Sequence, residues 1–149
     1  MRNNDAQSLA FSLLAASRAL VDGVSAGVSA RGFGDVRPAH GFAFARLSSG
    51  GATITQLAEH LDVTRQAAAQ LVDELVAKGY VERRPHPRDA RARLIVLTGK
   101  GHACTQAAQA AITETLRPWE TALGPDRLLS LRDDLLRVAP GGPLRPPAW

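Results

Sequence analysis

The chain has 149 residues, of which 45% are hydrophobic, enough for one well-packed core but hardly for two independent domains. Its one cysteine, Cys104, excludes an intramolecular disulfide framework and a zinc site built from several cysteines. The formal net charge is only +4, so the position of the charges matters more than their sum.

The N-terminal stretch MRNNDAQSLAFSLLAAS does not resemble a signal peptide, because its apolar segment is brief, interrupted by serine and preceded by an acid. No run of the sequence approaches the roughly 20 apolar residues that a membrane span requires. We therefore expect a cytoplasmic protein without a membrane partner.

Residues 6–30 are predicted to form a long helix, because apolar residues recur there at intervals of three and four. Arg18 and Asp22 are its only charged residues, so it is expected to have neighbours on several sides, including a second subunit. Gly23 and Gly27 would allow close approach of another helix. Plain packing in the core of one chain is the alternative.

The turn cluster RGFGD separates this helix from a second one, predicted from Pro38 to about Ser48. Thr53, with Gln56 three residues later, forms a capping box that opens a third helix. The turn LDVT leads to Thr64, which is expected to cap a fourth helix. Two short helices joined by a tight turn form a helix-turn-helix pattern.

Val81–Arg84 and Arg93–Leu97 are predicted as two strands joined by PHPRDARA, a long hairpin that projects into solvent as a wing. From Arg65 to Lys100 there are eight basic and four acidic residues, a difference of +4 that equals the net charge of the chain. This segment is therefore expected to bind an anionic partner.

A helix-turn-helix followed by an arginine-rich hairpin has a physical rationale on double-stranded DNA. The second helix can enter the major groove, and an arginine at the hairpin tip can enter a narrow minor groove. Gln66, Ala69 and Gln70 are then expected at base edges. The residues expected to position the protein on phosphates are Thr64, Arg65, Arg83, Arg84 and Arg88.

The segment TITQLAEHLDVTRQAAAQLVDELVAKGYVERRPHPRDARARLIVLTGKG, about one third of the chain, resembles the winged helix-turn-helix of the MarR family of bacterial transcription regulators. The resemblance rests on the D-x-R of the wing, Asp89 and Arg91, and on the segments that enter and leave it. It implies a homodimer on a pseudo-palindromic operator, usually a repressor relieved by a small molecule. Arg91 would be the minor-groove residue, and Asp89 would brace the wing through an ion pair.

The predicted fold class is mainly α with a small β-hairpin wing, in a single domain spanning 1–149. It divides into a DNA-binding lobe at 37–100, dimerisation helices at 6–30 and 101–139, and a disordered tail at 140–149.

Two residues of the motif depart from the family pattern. Gln70 stands where arginine is frequent, which should remove a phosphate contact, and Asp62 replaces the commoner glycine of the turn. Aspartate tolerates the left-handed conformation, so the fold should persist. Asp73 is repelled by phosphate and should mark the end of the DNA footprint.

The resemblance places an effector pocket near the first two helices, where Phe11, His40, Phe44 and Arg46 are candidates and core packing is the alternative. Cys104 is expected to be a buried, inert thiol. No histidine pair has the helical spacing of metal ligands, and no catalytic constellation emerges. We therefore predict a regulator that is not an enzyme and needs no metal or other cofactor. The alternative is a winged-helix module that binds a protein or a small molecule and does not bind DNA.

Overall fold

The computed structural model describes residues 2–139, so the predicted disorder of 140–149 lies outside the described residues. The described part confirms the mainly helical class with one hairpin. Its elements are α1 (Asn3–Ala30), α2 (Pro38–Leu47), α3 (Ile54–Leu61), α4 (Arg65–Ala77), β1 (Val81–Pro85), β2 (Arg93–Leu97), α5 (Gly99–Leu123) and α6 (Pro125–Val138).

Threonine side chains start three of the helices, and two of them, Thr53 and Thr64, are the caps that the sequence predicts. The hydroxyl oxygen of Thr53 accepts the backbone N–H of Gln56 at 3.2 Å, and the Gln56 side chain accepts the N–H of Thr53 at 3.0 Å. Thr64 accepts the N–H of Ala67 at 3.1 Å, and Thr98 caps α5 in the same way. Each cap satisfies an N–H that has no partner within its own helix.

Asp62 makes the turn between α3 and α4. Its backbone has φ 53° and ψ 50°, the left-handed conformation that usually favours glycine. A short polar side chain tolerates this conformation, so the predicted persistence of the turn is confirmed. The turn closes with the N–H of Val63 donating to the carbonyl of Ala58 at 3.0 Å.

The core lies between α2, α3, α4 and the hairpin. The Phe44 and Tyr80 rings pack at its centre with centroids 5.5 Å apart. Backbone hydrogen bonds of 2.8 and 3.0 Å join Ile95 on β2 to Ala52, so the hairpin is held against the loop before α3. Seven apolar side chains of α3 and α4 are buried: Leu57, Ala58, Leu61, Ala68, Leu71, Val72 and Leu75.

Helices α1 and α5 pack closely because α1 carries glycine at the contact. A methyl group on Gly23 would overlap the side chain of Thr115, and one on Gly27 would overlap that of Ala111. The predicted close approach at the two glycines is therefore confirmed. An ion pair of 2.6 Å between Arg31 and Glu114 closes the same interface and lowers the pKa of the Glu114 carboxyl.

Both α1 and α6 expose many large apolar side chains. An 18-residue window of α1 has a mean hydropathy of 1.4, so by length and composition alone this helix could cross a membrane. The prediction that no stretch approaches a membrane span is therefore wrong. Serine and alanine separate the leucines of α1, but the mean hydropathy of the helix remains in the range of membrane-spanning helices. The exposed side chains include Leu9, Phe11, Leu13 and Leu14 on α1, and Leu129, Leu135, Leu136 and Val138 on α6.

Candidate nucleic-acid interface

Helix α4 presents a polar outer face beside the wing. Arg65, Gln66 and Gln70 are exposed, and Ala69 between them is half-buried. Thr64 is also exposed, and its hydroxyl oxygen is already occupied as the helix cap, which leaves the hydroxyl hydrogen available to donate. The start of α4 therefore combines the positive end of a helix, a hydroxyl donor and a guanidinium, all of which favour phosphate.

The wing arginines fall into two groups. Arg83 forms an ion pair with Asp73 of α4, and Arg84 forms one with Glu82 on its own strand. Within residues 2–139, neither Arg88 nor Arg91 forms an ion pair, and both are exposed. Arg93 at the start of β2 is also exposed and without an ion pair in this range, so the uncompensated positive charge of the wing lies at its tip and at the adjoining end of β2 rather than along β1.

Asp89 orders the tip of the wing through the backbone. Its carboxylate accepts the N–H of Arg91 at 2.9 Å, and its carbonyl accepts the N–H of Ala92 at 3.1 Å. The ion pair implied by the family resemblance is absent from the described part of the chain. An aspartate bonding to an N–H two residues ahead is a stable local turn, which fixes where the Arg91 side chain leaves the wing.

The root of the wing rests on Tyr80. Its hydroxyl donates to the Asp35 carboxylate at 2.6 Å, which lowers the pKa of Asp35, while burial raises the pKa of Tyr80. The Lys100 ammonium lies 4.3 Å from the centroid of the Tyr80 ring. A methyl group on Gly101 would overlap the Tyr80 carbonyl oxygen, so glycine is required where α5 leaves the wing.

A second polar cluster links α2 to α4. The Arg37 guanidinium donates to the Glu74 carboxylate at 2.6 Å, and His40 Nε2 lies 3.2 Å from the same oxygen. The backbone N–H of Arg37 donates to His40 Nδ1 at 3.0 Å. Since Nδ1 accepts, the neutral ring carries its hydrogen on Nε2 and donates it to Glu74.

Both pKa values in this cluster are shifted. Burial lowers the pKa of His40, although its bond to Glu74 opposes that effect. The bond from Arg37, followed by that from His40, lowers the pKa of Glu74. At neutral pH the cluster therefore holds a cationic arginine, a neutral imidazole and a carboxylate.

A cleft of about 310 Å³ opens between α1, α2 and α5. Its walls are almost entirely apolar, and Arg37 is the one charged residue among the described residues that line it. The volume lies at the small end of the range for ligand sites in proteins. The apolar lining includes Leu20, Val24, Val28, Phe42, Phe44 and Ile112.

The four predicted effector-pocket residues are not brought together by the structure. Phe44 lines the cleft. Phe11 is exposed near the start of α1, and Arg46 turns away to donate to the Gly51 carbonyl at 3.0 Å. His40 lies one turn before Phe44 on α2, but its ring bonds to Glu74 and does not line the cleft. Helical spacing on α2 could not show which neighbour each of these side chains meets without the position of α4.

Cys104 lies in the wall of the cleft and is buried, as the sequence predicts. Burial raises the pKa of its thiol to about 11. Because the thiolate is the reactive form, the raised pKa disfavours reaction of this cysteine at neutral pH.

Together α3, α4 and the hairpin define a winged helix-turn-helix protein. The MarR family profile matches residues 36–92, which contain most of this unit. Over these residues the chain is a MarR-type winged helix-turn-helix.

Comparison with individual proteins supports this assignment. The chain is 35% identical over 89 residues to the multiple antibiotic resistance protein MarR of Escherichia coli, a match covering 59% of this chain and 62% of that protein. The match therefore spans less than two thirds of the length of that relative.

Two solved structures of Escherichia coli MarR have the same fold. The wild-type apo form superposes with a TM-score of 0.70 at 26% identity, covering 89% of this chain and 96% of that one. A cysteine-to-serine mutant complexed with operator DNA gives a TM-score of 0.75 at 24% identity, covering 92% and 97%. Because this second structure is only 24% identical, its similarity to the chain supports a shared fold and nothing further.

Proposed function

We propose that the protein is a cytoplasmic, non-enzymatic transcription regulator that binds double-stranded DNA sequence-specifically as a homodimer on a pseudo-palindromic operator. The observation that carries this proposal is the pairing of an exposed polar face on α4 with a wing tip whose arginines, Arg88 and Arg91, form no ion pair within residues 2–139. The E. coli MarR structure that contains operator DNA shares this fold.

The contacts divide between reading and positioning. Gln66 and Gln70 can each donate and accept at a base edge, and Ala69 can contact a thymine methyl group. Thr64 and Arg65 take phosphates at the start of α4, and Arg88 takes phosphate at the wing. Arg91 enters the minor groove, where its negative potential favours a guanidinium. Arg83 and Arg84 contribute less, because acids already neutralise them.

The exposed apolar faces of α1 and α6 support the homodimer. A monomer rarely leaves side chains such as Phe11, which is 61% exposed, and Leu14, which is 67% exposed, together in water. A second copy of the chain would cover them and set the spacing of the two wings. In this arrangement the lobe 37–100 binds DNA, and the helices at 6–30 and 101–139 join the subunits.

Relief of repression by a small molecule is supported by the cleft between α1, α2 and α5. The cleft adjoins both the dimerisation helices and, through Arg37, the recognition helix α4. A ligand bound there would contact the helices that join the DNA-binding lobes of the two subunits in the proposed homodimer.

The test is fluorescence anisotropy with a labelled duplex from upstream of the protein's own gene, against a scrambled duplex, at two salt concentrations. We expect tight, salt-dependent binding that prefers the native duplex. Arg91→Ala should weaken that binding, whereas Arg117→Ala, an equal loss of charge on α5, should not.

Three outcomes count against parts of this proposal. Unchanged affinity for Arg91→Ala would end the minor-groove assignment. Weak and equal binding to both duplexes would call for selection from a random duplex library, and failure there would favour a protein-interaction module. A monomer in sedimentation velocity at operator-binding concentrations would exclude the homodimer.

A further inference from the structure

Arg93 lies on the face of the wing that is turned towards α4. Side chains two positions apart on a strand share a face, so Arg93 has the same orientation as Ile95, which is fully buried. Arg83 stands opposite Ile95 in the antiparallel hairpin and therefore lies on this face as well. Its ion pair with Asp73 shows that the face meets α4.

The row of side chains on this face extends beyond the ion pair that joins the wing to α4. A strand rises about 3.4 Å per residue, so Arg93 stands about 7 Å further out along the wing than Ile95 and its partner Arg83. Arg91, at the tip, comes two residues before Arg93 in the chain. Arg93 therefore occupies the interval between the contact with α4 and the wing tip.

The guanidinium of Arg93 is not engaged by the protein. The side chain is exposed, and within residues 2–139 it takes part in no ion pair and no side-chain hydrogen bond. By contrast, the two arginines of β1 are neutralised, Arg83 by Asp73 and Arg84 by Glu82. Arg93 is thus the free cation nearest to α4 along this face of the hairpin.

Proline opposite Arg93 restricts where this cation can point. One position further on, the N–H of His86 donates across the hairpin to the carbonyl of Ala92 at 3.3 Å. Hydrogen-bonded and non-hydrogen-bonded pairs alternate in an antiparallel ladder, so Pro85 and Arg93 form a non-hydrogen-bonded pair, in which facing side chains lie closest. The rigid proline ring therefore limits the directions that the Arg93 side chain can take.

The interval that Arg93 occupies has a counterpart on DNA. A sugar-phosphate strand separates each major groove from the adjacent minor groove, so a protein that enters both grooves must pass over that strand. In the proposed complex α4 enters the major groove and Arg91 enters the minor groove. The charge that stands between them on the protein then faces the phosphates that stand between the grooves.

We propose that Arg93 binds a phosphate of the strand that separates the major groove read by α4 from the minor groove entered by Arg91. This inference rests on the proposed function and adds a contact to it. Arg83 lies closer to α4, but Asp73 already neutralises it. Because phosphates carry no sequence information directly, the contact adds affinity and fixes register without changing the preferred bases.

Salt titrations measure the contact. In fluorescence anisotropy with the duplex from upstream of the protein's own gene, Arg93→Gln should weaken binding about five- to tenfold. The log–log salt slope should become shallower by about one unit, while the ratio of affinities for the native and scrambled duplexes stays the same. Arg93→Lys keeps the charge and should keep most of the slope.

The matched control is the neighbouring arginine on the other face of the hairpin. Arg84→Gln removes the same charge, but Glu82 already neutralises it, so the slope should change clearly less than in Arg93→Gln. Equal changes of slope in the two variants would show that only the general charge of the wing matters, and would overturn the proposal.

Ethylation interference locates the phosphate. Ethylation removes the charge of a phosphate, and in the wild type it should weaken binding at positions between the two grooves. In Arg93→Gln one of these ethylations should have no further effect, because that phosphate has already lost its partner. An unchanged interference pattern, or an unchanged salt slope, would overturn the inference and leave the proposed function intact. If the wild type binds no duplex, even from a random library, both fail.

Discussion

Arg83 on β1 and Asp73 on α4 form an ion pair that ties the wing to the recognition helix. The sequence predicts separate roles for them, a phosphate ligand and the edge of the DNA footprint. In the proposed complex with DNA, their pairing would let one acid both end the footprint and occupy an arginine that would otherwise be free to face a phosphate. The wing thereby gains a fixed position at the expense of one positive charge.

Removing the acid should release the arginine. In Asp73→Asn we expect tighter DNA binding, with a salt dependence steeper by up to about one unit of log–log slope, because Arg83 becomes available to a phosphate. Anisotropy titrations over a salt series measure both quantities. Asp133→Asn removes a charge from α6 and serves as the control; an identical slope for the two variants would show that Arg83 does not reach the DNA.

The glycine at the root of the wing should be irreplaceable. Gly101→Ala should lower the free energy of unfolding by about 1–3 kcal/mol, because the added methyl group would overlap the Tyr80 carbonyl and crowd Leu97. Urea denaturation checks this. Gly99→Ala is the matched control, since nothing lies within 4 Å of its added methyl group. Equal stability of the two variants would contradict the overlap.

Stability should fall in mild acid because of His40. Its pKa in the folded protein is lowered by burial, so above a pH of about 6.5 the ring is neutral in both the folded and the unfolded chain. Below that pH the unfolded chain takes up the proton first, and the free energy of unfolding falls until the folded-state pKa is passed.

Urea midpoints between pH 5 and pH 8 measure this loss. His40→Gln should be less stable at pH 8 but should lose less on acidification, because it has no proton to gain. Glu74 also has a lowered pKa, but its contribution is lost only at lower pH, where carboxylates protonate. Parallel pH profiles for the wild type and the variant would refute the assignment.

The buried thiol should resist modification. With a pKa of about 11 and almost no exposed surface, Cys104 should react slowly with a disulfide reagent at pH 8 in the native state. Unfolding in urea should restore rapid reaction with one equivalent. Rapid reaction of the folded protein would show that the cleft wall opens readily.

Much of the fold could be predicted because it is encoded locally. The caps at Thr53, Thr64 and Thr98 and the turn at Asp62 depend on residues close in sequence, and the structure contains all of them. The two strands also match their predicted bounds, apart from the extension of β1 to Pro85. Local patterns fixed the helix-turn-helix and the wing without knowledge of tertiary packing.

The contacts that connect these elements could not be predicted in the same way. Glu74 lies 37 positions after Arg37, and Tyr80 lies 45 positions after Asp35. No spacing rule links residues so far apart, because their meeting depends on how the helices pack. The structure does not bring the candidate effector residues together, for the same reason. Helical periodicity shows which residues share a face of one helix, but it does not show which element packs against that face.

The glycine contacts between α1 and α5 have a mechanical consequence. Gly23 and Gly27 bring the two backbones together on Thr115 and Ala111, so a shift of one helix along the other would place larger residues at these close contacts. Helix α5 starts at the wing root and has 25 residues, a length of about 37 Å. In the proposed homodimer, α5 and α1 would hold the two wings at one separation and so set the distance between half-sites before any base is read.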